Sequence, residues 1–372
     1  MSAKASHWLK VRGITAESHR LIDSFQSKLR RLVKTKGLPP GMAIAIMTNL
    51  NFHGQDMPAD VFNRLDYSLG FETPDDPIVL GEALKRISDG KVKIDRTTRV
   101  NIGDFVLQYN FVRGYRPKRG ARKVNIPLDK AFNPKDFNYA RKECDPEKFA
   151  SRKYGRNLLV DFLFNRYPFA PYHFLWIPNR KTGRHNQYLS PVKDAAIIEA
   201  AWRFVAEDGL GEGIRLCYNS NGAHASVNHF HLQGFFLTDD WEPPIEHFIR
   251  NHDGSSGLLH CHFPGARWIS KSDGVKGLKS FIAEMNRRYH KYKENIAYHF
   301  CIAPEGIACF PRKHQGDEKY FALLEKAPFT TGYAFFEMLG EIISPTADIL
   351  SSGRHKMLKK QVKDLYRALS IE

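Results

Sequence analysis

Two histidines and a glutamine alternate at His229, His231 and Gln233, with Phe230 and Leu232 between them. Side chains of an extended segment point to opposite faces with a period of two. One face of this stretch would then carry two imidazoles and a carboxamide in a row, and the other would enter a core. Such a row suits holding a phosphate and attacking its phosphorus. Just upstream, Tyr218-Asn219-Ser220-Asn221-Gly222 is mostly small, polar and turn-forming; just downstream, Phe235 to Leu237 is apolar. Two alternatives stay open on spacing alone. One is a pair of histidines on a solvent-facing strand edge. The other is a metal site, which needs a third and fourth ligand. His260 and His262 could share a strand face, but nothing in the sequence brings them beside the first pair.

A second cluster runs Arg113, Arg116, Lys118, Arg119, Arg122 and Lys123 with no acid among them. It reads as a solvated loop face, or as a clamp for phosphate or a nucleic-acid backbone. Tyr115 is its only aromatic, so base stacking along it is not supported. Lys271-Ser272-Asp273-Gly274-Val275-Lys276-Gly277 lacks P-loop spacing and reads as a helix-entry loop. Gly-x-Ser-x-Gly, Gly-x-Gly-x-x-Gly and His-Glu-x-x-His do not occur. That removes the commonest hydrolase, dinucleotide and metalloprotease readings.

Rigid elements must position these groups. Leu158 to Phe164 and His173 to Ile177 read as strands joined by a turn at Asn165 to Pro171, and Arg215 to Tyr218 as the strand before the polar turn. Phe105 to Val112 reads as a strand, and Ala297 to Ile302 with Ala308 to Pro311 as a strand pair. Ala16 to Lys36 has apolar residues at helical spacing, as have Lys276 to Lys293 and Gln361 to Leu369. Met42 to Met47 reads as a buried strand or helix turn, residues 54 to 78 as loops, and Ile78 to Ile87 as a short helix. Ser190-Pro191 predicts a helix start with Ser190 as N-cap. Mixed elements with short strand connections predict an α+β fold built on an antiparallel sheet. Residues 1–99 form a mostly helical region of open role, and residues 100–372 the catalytic domain.

Composition sets outer bounds. The 372 residues are 42% hydrophobic with 26 Phe and 15 Tyr, enough for a sizeable core. No apolar run approaches the roughly 18 residues that span a bilayer, and the first residues lack an apolar leader core, so a cytoplasmic protein is expected. Five cysteines with no Cys-x-x-Cys spacing disfavour a disulfide framework or a zinc ribbon. The net charge of +16 favours anionic partners such as phosphates or nucleic acid.

The run Tyr218 to Gln233 resembles the active-site segment of the GDP-hexose phosphorylases, a histidine-triad branch that includes galactose-1-phosphate uridylyltransferase and diadenosine tetraphosphate phosphorylase. The resemblance extends to Tyr109-Asn110, Phe132-Asn133-Pro134, Phe137-Asn138-Tyr139, Asn165 with Pro168, and His173 to Pro178. It continues through Asn295 to Tyr298, Phe310-Pro311, Glu337 and Gly340-Glu341, so it covers about residues 100–372 at low identity. His224, Tyr172 and His299 depart from the family's usual residues, and the first two are expected to border the nucleotide pocket.

The resemblance implies a histidine-triad-like antiparallel sheet with flanking helices and a nucleotidyltransferase of the phosphorylase type. His231 would attack the α-phosphorus of a nucleoside diphosphate sugar, a GDP-hexose above all, and inorganic phosphate would take the nucleotidyl group as co-substrate. His229 and Gln233 would hydrogen-bond phosphoryl or leaving oxygens. Asn219, Ser220, Asn221, Gly222, Asn165, His173 and Arg113 would bind substrate or phosphate. No cofactor and no zinc are expected, nor a membrane or nucleic-acid partner, and a homodimer fits the family. A dinucleoside polyphosphate phosphorylase shares the same motif and is the first alternative. A non-catalytic nucleic-acid-binding protein is the second, motivated by the charge.

Overall fold

The computed structural model describes residues 8–71, 73–115, 126–183, 186–327, 329–330 and 332–371. The chain begins with helices α1 (Ala16–Lys34) and α2 (Gly41–Phe52), then β1 (Met57–Pro58), α3 (Asp76–Leu84), β2 (Ile87–Ser88) and β3 (Lys91–Val92). Next come β4 (Thr98–Asn101), β5 (Val106–Tyr109), α4 (Phe111–Gly114), β6 (Lys148–Tyr154), β7 (Leu158–Phe164) and β8 (Phe174–Pro178). Then follow α5 (Ala195–Ala206), β9 (Ile214–Asn219), β10 (Leu232–Phe236), α6 (Ile245–Arg250), β11 (Gly257–Leu258), β12 (Arg267–Ser270) and α7 (Gly274–His290). The chain ends with β13 (Ile296–Ala303), β14 (Gly306–Lys313), α8 (Glu318–Glu325), α9 (Phe335–Met338), β15 (Glu341–Ser344) and α10 (His355–Leu369).

Nine strands make one antiparallel sheet in the order β11-β12-β14-β13-β9-β10-β8-β7-β6. The expected α+β class and antiparallel sheet are therefore what the chain forms. Alternation sends residues to two cores. Ile214, Leu216 and Tyr218 of β9 face one with α5 and α7; Cys217 faces the other with α9 and α10. Covering a sheet on both faces needs strands apolar on both sides, and β13 and β14 are buried at all positions but Lys313. A smaller sheet, β15-β5-β4, contains a parallel pair in which Glu341 stands opposite Val106. The five cysteines are free.

The region before residue 98 shares the first core. Phe25 of α1 meets the edge of Phe164 at 4.6 Å, and Arg12 N–H donates to the Leu237 carbonyl at 3.0 Å. Helix α2 covers the stretch read as a buried strand or helix turn. It is apolar nearly all round, so it carries no amphipathic stripe and is buried on every side. Its few polar groups tie it to the sheet: Thr48 Oγ1 donates to the Arg166 carbonyl at 2.7 Å, and Asn49 Nδ2 to that of Asn165 at 2.9 Å.

Three further expectations shift. Residues 59–64 and 67–69, read as loop, form 3-10 turns. Helix α5 starts after Asp194 rather than at Ser190, because Ser190 N–H donates to the Asp194 carboxylate at 2.8 Å and folds residues 190–194 into a separate turn. Strand β5 ends at Tyr109, where the Asn110 side chain accepts the Arg113 N–H and turns the chain into α4.

Candidate active site

A cavity of about 440 Å³ opens beside the β7-β8-β10-β9 part of the sheet. His231 and Gln233 line it from the centre, and Leu175, Asn165 and Asn219 from the flanking strands and turn. The histidines do not lie within the strand: β10 begins at Leu232, whose partner on β8 is Trp176. Just upstream the buried Gln187 carboxamide replaces a ladder. It accepts from His231 N–H at 2.9 Å and donates to the His231 carbonyl at 3.0 Å and the Asn219 carbonyl at 2.9 Å. Alternation still holds, because Phe230 and Leu232 enter the first core.

The His231 ring is held as one tautomer. Its Nδ1–H donates to the His229 carbonyl at 2.8 Å, which leaves Nε2 with its lone pair on a ring that lines the cavity. Burial pushes the ring down to about 4, against the opposing pull of that carbonyl, so the imidazole is neutral at physiological pH. The edge of Tyr139 packs 5.2 Å from it.

Gln233 is fixed by two donors. Phe169 N–H donates to His173 Nδ1 at 3.4 Å, which puts the His173 proton on Nε2. That Nε2–H meets Gln233 Oε1 at 3.1 Å, and Asn165 Nδ2 donates to the same oxygen at 3.3 Å. With Oε1 engaged from behind, the Gln233 amide N–H groups are the part presented to the cavity. A neutral amide is a donor that cannot shuttle protons.

The other expected residues divide. Asn165, Arg113 and Asn219 line the cavity, and Arg113 lies over the Phe169 ring at 5.0 Å. The Asn219 carbonyl oxygen of the side chain is engaged by Phe335 N–H at 2.9 Å and His299 Nδ1–H at 2.7 Å. His173 is fully buried behind Gln233 and does not line the cavity; burial pushes it down to about 3. His229 does not line it either: Tyr139 N–H donates to its Nδ1 at 3.1 Å, and Phe132 packs on the ring. Its contribution to the site is the carbonyl that orients His231.

Ser220, Asn221 and Gly222 are likewise not brought to the cavity. Ser220 Oγ accepts from Tyr298 N–H, Asn221 Nδ2 donates to the Leu128 carbonyl, and Gly222 sits against His314. Their polar groups build the turn instead. Of the two unusual residues expected at the pocket, His224 lines it, whereas Tyr172 points to the N-terminal region and donates to the Leu9 carbonyl at 2.8 Å. Arg116, Lys118, Arg119, Arg122 and Lys123 lie outside the described residues.

Four charged residues complete the walls without having been anticipated there: Asp75, Glu337, Glu147 and Arg166. Glu337 is buried, accepts from Ala334 N–H at 2.9 Å, and is pushed up to about 7 by burial, with Arg113 and backbone N–H groups pulling the other way. Glu147, buried, and Arg166 meet at the opposite end, where Arg166 Nε donates to Glu147 Oε1 at 2.5 Å. Among the described residues no group of three or more His, Cys, Asp or Glu side chains is arranged to hold a metal ion.

Residues 98–235 match the protein family described as GDPGP1-like, N-terminal domain. The chain is 30% identical over 195 residues to GDP-D-glucose phosphorylase 1 of Macaca fascicularis, a stretch covering 49% of this chain and 47% of that protein. The chain thus matches about half the length of that curated relative. Its fold is similar to that of yeast Ap4A phosphorylase Apa2 in complex with Ap4A, with a TM-score of 0.46 and 13% identity over 78% of this chain and 93% of that one. The complex of the same yeast enzyme with AMP gives a TM-score of 0.47 and 14% identity over 80% and 98%.

Proposed function

Because residues 98–235 match the GDPGP1-like N-terminal domain family, we propose that this chain is a nucleotidyltransferase that cleaves a GDP-hexose with inorganic phosphate. His231 Nε2 attacks the α-phosphorus. The bond from that phosphorus to the bridging oxygen breaks, hexose 1-phosphate leaves, and a nucleotidyl-imidazole remains. An oxygen of inorganic phosphate then attacks the same phosphorus, the imidazole leaves with its electron pair, and the nucleoside diphosphate departs. Covalent catalysis of this kind divides one displacement into two.

One observation carries the reading: the Nδ1–H to His229 carbonyl bond leaves Nε2 unprotonated on a neutral ring in the cavity wall. The amide N–H groups of Gln233 and the Arg113 guanidinium, both in the cavity wall, would meet phosphoryl oxygens. The leaving group of the first step and the nucleophile of the second are both phosphates, whose ionised oxygens exchange no proton with the enzyme, and this suits a carboxamide at position 233. The reaction uses no resident metal, so turnover should persist in chelator.

The test is incubation with phosphate and a panel of GDP-, UDP- and ADP-sugars, followed by detection of released diphosphate. GDP release is expected. His231→Ala should abolish it while nucleotide binding, read by calorimetry, stays within a few-fold. Undiminished turnover in that variant would remove the mechanism, and phosphorolysis of dinucleoside polyphosphates alone would replace the substrate.

A further inference from the structure

The region before residue 98 reaches the active-site cavity. Thr73, Pro74 and Asp75, at the entry to α3, line it together with Glu147 and Arg166. Thr73, Arg166 and Glu147 form one bonded network through Asp76, beside which Asp75 stands. Arg166 bridges Glu147 at 2.5 Å and Asp76 at 3.4 Å, and Asp76 in turn accepts from Thr73 N–H at 3.1 Å and Thr73 Oγ1 at 2.6 Å. Asp75, Asp76 and Glu147 are each no more than 3% exposed. Burying this many charges is costly unless they are held for a purpose or fully paired.

The network adjoins the phosphate-binding amide. Asn165, next in sequence to Arg166, donates to Gln233, and α2 anchors both carbonyls of this dipeptide. The rest of the cavity around His231 has another character: Tyr139, Phe137, Val227 and Leu175 supply apolar walls suited to a flat base. A hexose presents neighbouring hydroxyls, which planar carboxylate and guanidinium groups bind in pairs.

We propose that Thr73 and Asp75, with the Arg166–Glu147 pair, form the subsite for the hexose of the nucleotide sugar, so that the N-terminal region sets sugar selectivity. This rests on the phosphorolysis reading for its substrate. Glu147 and Arg166, bonded side by side in this wall, present a carboxyl and a guanidinium to the same part of the cavity.

The test uses the full chain with Asp75→Asn and Thr73→Val, both close in shape to the original residues, and melting curves to establish that each folds. Calorimetry with glucose 1-phosphate and with GMP separates the two ends. Asp75→Asn should weaken glucose 1-phosphate binding about tenfold or more and leave GMP binding unchanged. The kcat/KM ratio of GDP-glucose to GDP-mannose should collapse while that of GDP-glucose to UDP-glucose holds. Unaltered glucose 1-phosphate binding in both folded variants would overturn the subsite, as would a change confined to the base ratio. Asp75-dependent glucose 1-phosphate binding by a wild type that phosphorolyses nothing would uphold the subsite and overturn the reaction.

Discussion

At the residue scale, the site is a set of orientations imposed from behind. His231 receives its tautomer from a carbonyl two residues upstream, and Gln233 receives its amide orientation from His173, sixty residues away. His173→Leu should therefore lower kcat by roughly ten- to a hundred-fold with little change in KM, the range seen when an oriented donor is lost. Adding Gln233→Ala to that variant should cost no more than Gln233→Ala alone, because both act through one amide. An additive loss in steady-state assays would contradict this. His231 and Gln233 were legible because local periodicity exposes them, whereas His229, read onto the same face, contributes its backbone carbonyl and not its ring. Gln187, forty-four residues from His231, was not, since only the folded pairing brings its carboxamide to that backbone. Glu337 showed only as part of the resembling final segment and not as a wall of the site; its environment is made by burial against Arg113 and the Ala334 and Ile343 amides.

At the element scale, the polar turn between β9 and β10 works as a backbone device. Gly222 has φ of +76°, and a Cβ there would stand 2.1 Å from His314 Cδ2. Gly222→Ala should destabilise the protein by about 2 kcal/mol or more, from left-handed strain and a clash inside the packed turn. Urea unfolding would read this; an unchanged midpoint would show that His314 moves aside freely. The strands were largely legible, since β7, β8, β9 and β13 follow apolar runs bounded by turns. Helix α2 was not, because a segment buried on all sides has no period to distinguish helix from strand. Tyr172 was misplaced for another reason. Its φ of +50° swings the ring towards Leu9 and Gln26, a direction that sequence spacing does not record.

At the scale of the whole molecule, burial of many neutral histidines predicts an acid-sensitive fold. Burial pushes His53, His173 and His224 down to about 3, and His231 and His262 down to about 4. The unfolded chain binds more protons at these positions between about pH 4 and 6.5, so stability falls as pH drops through that window. Each group contributes at most about 1.4 kcal/mol per pH unit. Glu337 and Glu147 have the opposite sign, since burial raises both and the folded chain then holds extra protons, below about 7 for Glu337, but they are two groups against five. The melting temperature should fall steeply from pH 7 to pH 5; a flat profile would contradict these burials.

The margins of the large sheet carry one more consequence. On one side β11 has two residues; on the other β6 carries Lys148, Arg152 and Lys153, with its register broken between Lys148 and Ala150. A short rim and a cationic, kinked rim both make poor templates for a foreign strand. Among the described residues the large sheet thus offers crowded copies no long open hydrogen-bonding border from which fibrils grow, and pairing of subunits through that sheet has to employ side-chain surfaces instead.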